Sequence, residues 1–326
     1  MLPAHRWVSQ AWKSLLLAGL AGAGVWTATH GVAGVAWRDV VDAVRQVTVW
    51  HLLLMALLWF AGLVVYSTVL AGAMPGLGPR RGLLMNLTGS AVANVMPLGG
   101  AVATGLNWRM ARRWGHSNGD FVSFCVVTNA LDVVTKLLLP LVAVAVLLTR
   151  SVHVPAPVWV GVAGCGVALC IIAIGQLVLL RTANSEKSRR RRLHETARQI
   201  RDVLVTRWRL LLPGSIGYVV AQVALLFLCL ESVGLRPMLG TIVMAAAIER
   251  VSTLVPLTPG GTGFAELGTI AWLVASGLDP VQVVAGVILY RTFLFAMEIP
   301  VGGVLLGWWA WWQRLTNQRA REVARA

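Results

Sequence analysis

Ionisable side chains interrupt long apolar stretches of this sequence, where charged groups are costly and usually functional. They are Asp132, Lys136, Glu231, Glu249, Arg250, Glu266, Arg291 and Glu298. Carboxylates in such places can carry protons, and a guanidinium group can bind a phosphate through two parallel hydrogen bonds. These residue types predict a binding site for an anionic headgroup. We assign no role to Glu231 or Glu298 from the sequence.

The same charges are expected to pair, because an isolated charge in an apolar interior is prohibitively unfavourable. We expect Glu266 to pair with Arg291, and Glu249 to pair with Arg250 or Arg291. Two interpretations stay open. The pairs could simply hold helices together, or one of the arginines could receive a lipid phosphate while the carboxylates moderate its affinity.

Asp132 and Lys136 are four residues apart in an apolar stretch, so they share one face of a helix. They could be a self-neutralised pair that fixes helix packing, or they could line a site or relay protons. Arg109, which follows the first interrupted segment described below, is a further candidate for headgroup binding.

Proline and glycine clusters break two apolar stretches, residues 83–108 and 238–277. The break residues are Pro97, Gly99 and Gly100 in the first, and Pro256, Pro259, Gly260, Gly261 and Gly263 in the second. Non-helical backbone at membrane depth is tolerated only where protein or a cavity surrounds it. We therefore predict two re-entrant hairpins at a central polar cleft, with helix ends that offer backbone N–H groups to an anion.

The whole chain has the composition of a helical membrane protein. Of its 326 residues, 57% are hydrophobic and 13% are charged, whereas soluble domains carry about 25% charged residues. Several apolar runs reach the roughly 20 residues that cross a bilayer. The basic residues behind the net charge of +15 lie mainly in short loops between these runs. This distribution indicates membrane topology and anionic lipid contact rather than nucleic-acid binding.

Six spans are predicted, at about residues 15–36, 50–74, 121–148, 158–180, 210–234 and 281–312, with a short interfacial helix over residues 37–48. Basic segments are expected on the cytoplasmic side. This places both termini, residues 79–81 and 109–113, and a polar linker, 181–209, in the cytoplasm. Each broken stretch must then return to the side from which it entered, one from each side of the membrane.

The two halves of this single transmembrane domain, about 50–150 and 210–312, share the order of span, broken segment and span. Further matched pairs are Gly115 with Gly277, Asp120 with Asp279, and Pro140 with Pro300. Because the halves start from opposite sides, the pattern predicts an inverted repeat with a transport site at its interface. The predicted fold is all-α, with about six spans and two re-entrant hairpins arranged as an inverted repeat.

The sequence contains no recognised motif for catalysis, nucleotide binding or metal binding. The cysteines Cys125, Cys165, Cys170 and Cys229 lie in apolar runs without metal-ligand spacing. Zinc-protease, hydrolase and phosphate-loop patterns do not occur. We therefore expect no cofactor, no metal site and no disulfide framework.

Two stretches resemble a known family. "VPLTPGGTGFAELG" followed by "ILYRTF", and the earlier "NVMPLGGAVATGLNWRMARRWG", are similar to motifs of the lysylphosphatidylglycerol synthase transmembrane region, also called the flippase-like domain family. The resemblance covers about residues 50–312. Its signature positions are Pro256, Pro259, Gly260, Gly261, Gly263, Glu266 and Arg291, with Pro97, Gly99, Gly100 and Arg109 as first-half counterparts.

The resemblance implies a membrane module that moves a lipid between leaflets. Full-length bacterial members join it to a cytosolic domain that charges phosphatidylglycerol from aminoacyl-tRNA. Only residues 313–326 follow the last predicted span here, so we expect the translocating part alone. The implied partners are anionic phospholipid or polyprenyl-phosphate lipid and a separate lipid-modifying enzyme, in a bacterial-type inner or plasma membrane. A membrane transferase that uses a lipid-linked donor, or a subunit of one, is the alternative.

Overall fold

The structure is a computed structural model of the chain, and it describes residue 31 and residues 33–96, 99–149, 156–182, 190–254 and 262–323. These residues form helices and short connections, with no β-strand among them. The α-helices are α1 (Trp37–Arg45), α2 (Val49–Ala73), α3 (Pro79–Val95), α4 (Gly99–Arg113), α5 (Asn118–Thr149), α6 (Ala156–Thr182), α7 (Arg190–Ser232), α8 (Leu239–Ser252), α9 (Phe264–Ala275), α10 (Pro280–Arg291) and α11 (Glu298–Val323).

Four helical segments of the described chain are long and apolar enough to cross a membrane: Val49–Ala73, Asn118–Thr149, Arg198–Ser232 and Pro280–Thr316. They match the spans predicted at 50–74, 121–148, 210–234 and 281–312. The span predicted at 158–180 lies within α6, which includes the apolar stretch Val158–Ile171. The span predicted at 15–36 lies almost entirely outside the described residues. The short helix predicted at 37–48 is present as α1.

Helix α7 begins at Arg190, well before the apolar span that it contains. Residues 181–209 are predicted as a polar linker, but residues 190–209 continue the helix of the span without a break. Apolar side chains of this segment, among them Ile200 and Val203, pack with other helices beside Leu211. This charged segment is therefore helical, and one side of it packs against the rest of the protein.

Two pairs of short helices flank the predicted breaks. Helices α3 and α4 have 17 and 15 residues, and α8 and α9 have 14 and 12. At ~1.5 Å per residue they are roughly 18–26 Å long, less than the roughly 30 Å hydrocarbon core of a bilayer. The two helices of each pair pack against each other.

Some of the predicted break residues can be placed on these helices. Gly99 is the first residue of α4, Gly100 is the second, and Gly263 directly precedes α9. Gly99 is buried, and a Cβ at this position would overlap the backbone of Ala93. The remaining break residues lie outside the described residues: Pro97, Pro256, Pro259, Gly260 and Gly261.

The same turn follows each short pair, at Gly115 after α4 and at Gly277 after α9. Their φ angles are 89° and 85°, in the left-handed region where glycine is favoured. In each turn the residue after the glycine donates its N–H to the carbonyl five residues earlier, at 3.1 and 3.4 Å. This is the Schellman pattern of a helix C-terminus, so the predicted match between these glycines is also a match of backbone geometry.

The capping residues of the next helices refine the predicted match of Asp120 with Asp279. Ser117 lies two residues after its glycine and accepts the N–H of Asp120 at 3.1 Å as α5 begins. Asp279 lies two residues after its glycine and accepts the N–H of Gln282 at 3.0 Å as α10 begins. The structural counterpart of Asp279 is therefore Ser117.

Packing between the two halves is reciprocal. Helix α2 packs on α7, α5 packs on α8, and α11 packs on α3. The helical segment that follows each short pair, α5 after the first and α10–α11 after the second, thus contacts the first helix of the other pair. Contact between α11 and α3 is so close at Gly302 that a Cβ would overlap the carbonyl oxygen of Leu87. This arrangement surrounds α8 with α5, α7 and α9.

Candidate functional site

Arg291 is the last residue of α10, and a π-helical turn, Thr292–Ala296, joins it to α11. Its Nε donates to Glu266 Oε1 at 2.7 Å, and its Nη1 donates to Glu249 Oε1 at 2.8 Å. All three side chains are 10% exposed or less. The predicted pair of Glu266 and Arg291 is therefore formed, and Glu249 also pairs with Arg291. We call these three residues the Arg291 cluster.

Glu266 is positioned by the turn that begins α9. Gly263 has a φ of 93° and donates its N–H to Glu266 Oε2 at 2.6 Å. A side chain is strained at that φ, so glycine is favoured there. Each oxygen of the Glu266 carboxylate thus has a fixed partner. One holds the backbone that leaves the broken segment, and the other holds α10.

Arg250 directly follows Glu249 on α8 but contacts different helices, because successive residues of an α-helix are about 100° apart. It donates to the side-chain oxygen of Gln222 on α7. Its Nη2 lies 3.4 Å from Thr135 Oγ1 and 3.5 Å from Asp132 Oδ1, both on α5. Its Nε is buried and has no hydrogen-bond partner among the described residues.

Asp132 connects Arg250 to Lys136, whose Nζ lies 2.7 Å from Asp132 Oδ2. The predicted pair on one face of α5 is therefore formed. The Asp132 side chain is 37% exposed, whereas Lys136 is 15% and Arg250 is 6% exposed. We call Arg250, Lys136 and Asp132 the Arg250 cluster, and Asp132 is its accessible member.

The two clusters have opposite charge imbalances. The Arg291 cluster contains one cation and two carboxylates, whereas the Arg250 cluster contains two cations and one carboxylate. The neighbouring residues Glu249 and Arg250 bring the clusters together on α8. Excess positive charge and a free donor therefore lie on the Arg250 side, which is also the side with an exposed group.

Two tyrosines extend from the Arg250 cluster toward the first half of the chain. The guanidinium carbon of Arg250 lies 6.0 Å from the ring centre of Tyr218 on α7. The ring of Tyr218 stacks on Tyr66 of α2, with 4.6 Å between centroids. A cation near an aromatic face is stabilised by the ring quadrupole, so the tyrosines help to hold Arg250 in place.

Three other ionisable residues considered from the sequence lie outside these hydrogen-bonded clusters. Arg109 is exposed on α4, where it lines a separate groove of about 510 Å³ with Trp108. Glu298 is buried in α11, and the side-chain nitrogen of Asn94 lies 3.5 Å from its Oε2. Glu231 is half-buried near the end of α7.

Sequence reasoning did not identify Thr135, Tyr218 or Gln222 as members of the site. A signal was present for two of them, because Thr135 lies between Asp132 and Lys136 and Gln222 is an amide inside an apolar span. A buried amide needs a hydrogen-bond partner. That requirement could have directed attention to Gln222.

The arrangement offers hydrogen-bond donors to an anion rather than ligands to a metal. Within the part of the chain that the structure describes, no three His, Cys, Asp or Glu side chains form a group that could hold a metal ion. Guanidinium and ammonium groups donate hydrogen bonds and do not accept them. The Arg250 cluster therefore has the chemistry of a phosphate or carboxylate site.

The chain matches a protein-family model. The family model described as lysylphosphatidylglycerol synthase TM region matches residues 11–302. The matched range includes every residue of both clusters. A search of curated proteins finds no match to the chain.

Proposed function

Because the chain belongs to the lysylphosphatidylglycerol synthase TM region family, we propose that it moves the headgroup of a lipid between the two leaflets of a membrane. The Arg250 cluster is the observation that supports this proposal most directly. It combines two cations with one carboxylate, and it includes a buried donor without a partner. A lipid phosphate supplies the missing acceptor and the missing negative charge.

In the proposed binding step, a lipid phosphate approaches at Asp132, the exposed member of the Arg250 cluster. The contact between Asp132 and Arg250 is long, at 3.5 Å, whereas that between Asp132 and Lys136 is 2.7 Å. The phosphate displaces the carboxylate from Arg250 and accepts from the guanidinium group. Asp132 keeps its bond to Lys136 and competes with the phosphate, so that the headgroup can leave again.

The Arg291 cluster has a different proposed role. Arg291 already donates to two carboxylates, on α8 and α9, which leaves it less suited to phosphate than Arg250. Its bonds instead hold the broken segment against α10. We therefore assign phosphate binding to Arg250 and Lys136, and positioning to Arg291, Glu249 and Glu266.

Movement between leaflets requires the site to open to each side in turn, and the arrangement of the two halves suits such a motion. We propose that they form an inverted repeat, with α3–α4 and α8–α9 as re-entrant hairpins. Reciprocal packing and the matched turns at Gly115 and Gly277 support this proposal. In transporters of this type, the site lies between the repeats and one half rocks against the other.

The proposed setting is a bacterial-type inner or plasma membrane, with both termini and the basic segment 181–209 in the cytoplasm. The proposed partners are an anionic phospholipid or a polyprenyl-phosphate lipid, together with a separate enzyme that modifies that lipid. Asp132 is the candidate for proton coupling, because it is the accessible carboxylate of the site.

The proposal is tested by leaflet exchange in liposomes that contain the purified chain and a labelled anionic phospholipid or polyprenyl phosphate. Arg250→Gln should reduce exchange at least tenfold, since one charge-assisted hydrogen bond contributes about 1.5–3 kcal/mol. Arg45→Gln is the matched control, because it removes the same charge from a side chain that is 77% exposed. It should exchange lipid like the unchanged protein.

Two results would count against translocation. Exchange no faster than in protein-free liposomes for every lipid tested would refute it. Formation of a new product from a polyprenyl-phosphate sugar donor would assign the chain to the membrane transferases instead.

A further inference from the structure

A polar cavity lies in the first half of the chain, apart from both ion-pair clusters. It has a volume of about 250 Å³ and lies between α2, α3, α4 and α5. Polar side chains on four helices contribute to its lining, among them Tyr66, Asn86, Ser90, Thr104, Asn107 and Asn129. We call it the asparagine cavity.

The lining of this cavity combines apolar side chains with amides and hydroxyls, and it contains no Asp, Glu, Lys, Arg or His. Amides and hydroxyls each donate and accept hydrogen bonds, so they complement a group that does both. Hydroxyl groups have this property, whereas phosphates and ammonium groups do not. A small neutral molecule or moiety rich in hydroxyls therefore fits this lining, in contrast to the Arg250 cluster.

Asn107 supplies a hydrogen-bonding position that the protein leaves unused. Its Oδ1 is buried and has no partner among the described residues. Its amide lies against Gly89, where a Cβ would be 3.0 Å from Asn107 Nδ2. The glycine thus makes room for the amide at the cavity wall, and the free oxygen can accept a hydrogen bond from a ligand hydroxyl.

The asparagine cavity is connected to the Arg250 cluster through two tyrosines. Tyr66 lines the cavity and stacks on Tyr218 at 4.6 Å, and Tyr218 lies 6.0 Å from the Arg250 guanidinium carbon. A cationic site and a neutral hydroxyl-binding site therefore lie on either side of one aromatic pair. Lipid headgroups often join these two chemistries, as a phosphodiester that bears a polyol.

We propose that the asparagine cavity binds the neutral, hydroxyl-rich part of a lipid headgroup whose phosphate binds Arg250 and Lys136. This inference rests on the proposed function, because it uses the same phosphate site. The cavity volume is below the roughly 300–1,000 Å³ of sites for drug-sized ligands, so its occupant is one sugar ring or a unit of similar size.

The test compares two lipids with the same charge and different hydroxyl content. Full-length protein in detergent is titrated with phosphatidylinositol or with phosphatidylethanol, and lipid binding is measured by native mass spectrometry. We expect phosphatidylinositol to bind on the order of tenfold more tightly, from one or two additional hydrogen bonds. Free inositol is titrated in parallel.

Asn107→Leu should remove this preference and leave phosphatidylethanol affinity unchanged. Asn86→Leu changes a second cavity residue, in case Asn107→Leu does not fold, and it should reduce the same preference. Asn118→Leu is the matched control, because Asn118 is exposed and outside the cavity. Arg250→Gln should lower the affinity for both lipids by a similar factor.

Equal affinity of the unchanged protein for the two lipids would overturn the proposal. Loss of the preference in Asn118→Leu as well would also overturn it. Binding of free inositol that depends on Asn107, with no lipid preference, would show a soluble polyol as the ligand and refute the headgroup assignment.

This binding assay does not depend on lipid movement. If the protein prefers phosphatidylinositol through Asn107 but does not exchange lipid, headgroup binding in the asparagine cavity is supported and only translocation is refuted. Lipid exchange without that preference would support translocation and refute headgroup binding in the asparagine cavity.

Discussion

Removing both carboxylates that hold Arg291 should destabilise the protein more than the two single changes together. In Glu249→Gln, Arg291 keeps its 2.7 Å bond to Glu266, and in Glu266→Gln it keeps its 2.8 Å bond to Glu249. Each single variant therefore retains one carboxylate opposite the guanidinium group. The double variant loses both carboxylates. Water cannot replace them, because the Arg291 side chain is only 10% exposed.

The expected magnitudes follow from this geometry. Glu249→Gln should lower the free energy of unfolding by about 1 kcal/mol, because a glutamine oxygen still accepts from Arg291 while one charge-assisted bond is weakened. Glu266→Gln should lower it by about 2 kcal/mol, because glutamine has a single acceptor oxygen and either Arg291 Nε or the Gly263 N–H loses its partner. Burial of a cation that has lost its counter-charges costs about 3–5 kcal/mol. The double variant, which also loses that bond, should therefore lose about 5 kcal/mol, which exceeds the sum of the singles by roughly 2 kcal/mol.

Unfolding in detergent, followed by far-UV circular dichroism during a denaturant titration, gives the four free energies of this cycle. Asp42→Asn is the control, because the Asp42 side chain is 64% exposed in its 3.4 Å pair with Arg45. It should change the free energy of unfolding by about 0.5 kcal/mol or less. A double variant equal to the sum of the singles would refute the view that the two carboxylates share one guanidinium group.

Three further predictions concern the break, the binding site and the topology. Gly263→Ala should lower the free energy of unfolding by about 1–2 kcal/mol, because alanine is strained at a φ of 93°, as measured in the same titration. Asp132→Asn should raise the affinity for anionic phospholipid in liposome co-sedimentation and slow leaflet exchange, because a competing carboxylate leaves Arg250. Cysteines placed at Thr206 and Ser276, both exposed, should react with a membrane-impermeant maleimide from opposite sides of sealed vesicles.

Each of these predictions has a contradicting result. Gly105→Ala is the control at a helical glycine with free space, and it should raise the free energy of unfolding by up to about 1 kcal/mol because alanine favours a helix over glycine. Stability of Gly263→Ala that is unchanged or raised in the same way would contradict the backbone argument. Weaker phospholipid binding by Asp132→Asn would show that this carboxylate supports the ligand instead of competing with it. Labelling of both cysteines from one side would contradict the inverted repeat.

The sequence predicted the ion pairs where burial left few choices. Glu266 and Arg291 are charged residues in adjacent apolar segments, and pairing in the interior follows from the cost of an isolated charge. The partner of Glu249 remained open, because Glu249 and Arg250 are adjacent and only the rotation of α8 determines which helix each one faces. That rotation depends on packing against α5, α7 and α9.

Other features of the site could not be predicted from the sequence, because they depend on contacts between distant parts of the chain or on neutral residues. Arg109 follows the first break in sequence, but its position on α4 exposes it and keeps it outside both clusters. The asparagine cavity brings together Asn86, Asn107 and Asn129 from three helices. No single helix shows this grouping, and a search for ionisable residues passes over it.

The π-helical turn Thr292–Ala296 sets the rotational phase between the two ends of the final helical segment. Arg291 must face the carboxylates of α8 and α9, and Gly302 must face Leu87 on α3. Inserting one residue into the turn would rotate α11 by about 100° relative to α10. Val301 would then take the place of Gly302 and bring a Cβ to the closest contact with the first half. The length of this turn is thus as constrained as the identity of either residue, and one inserted residue should uncouple the ion pairs from the contact between α11 and α3.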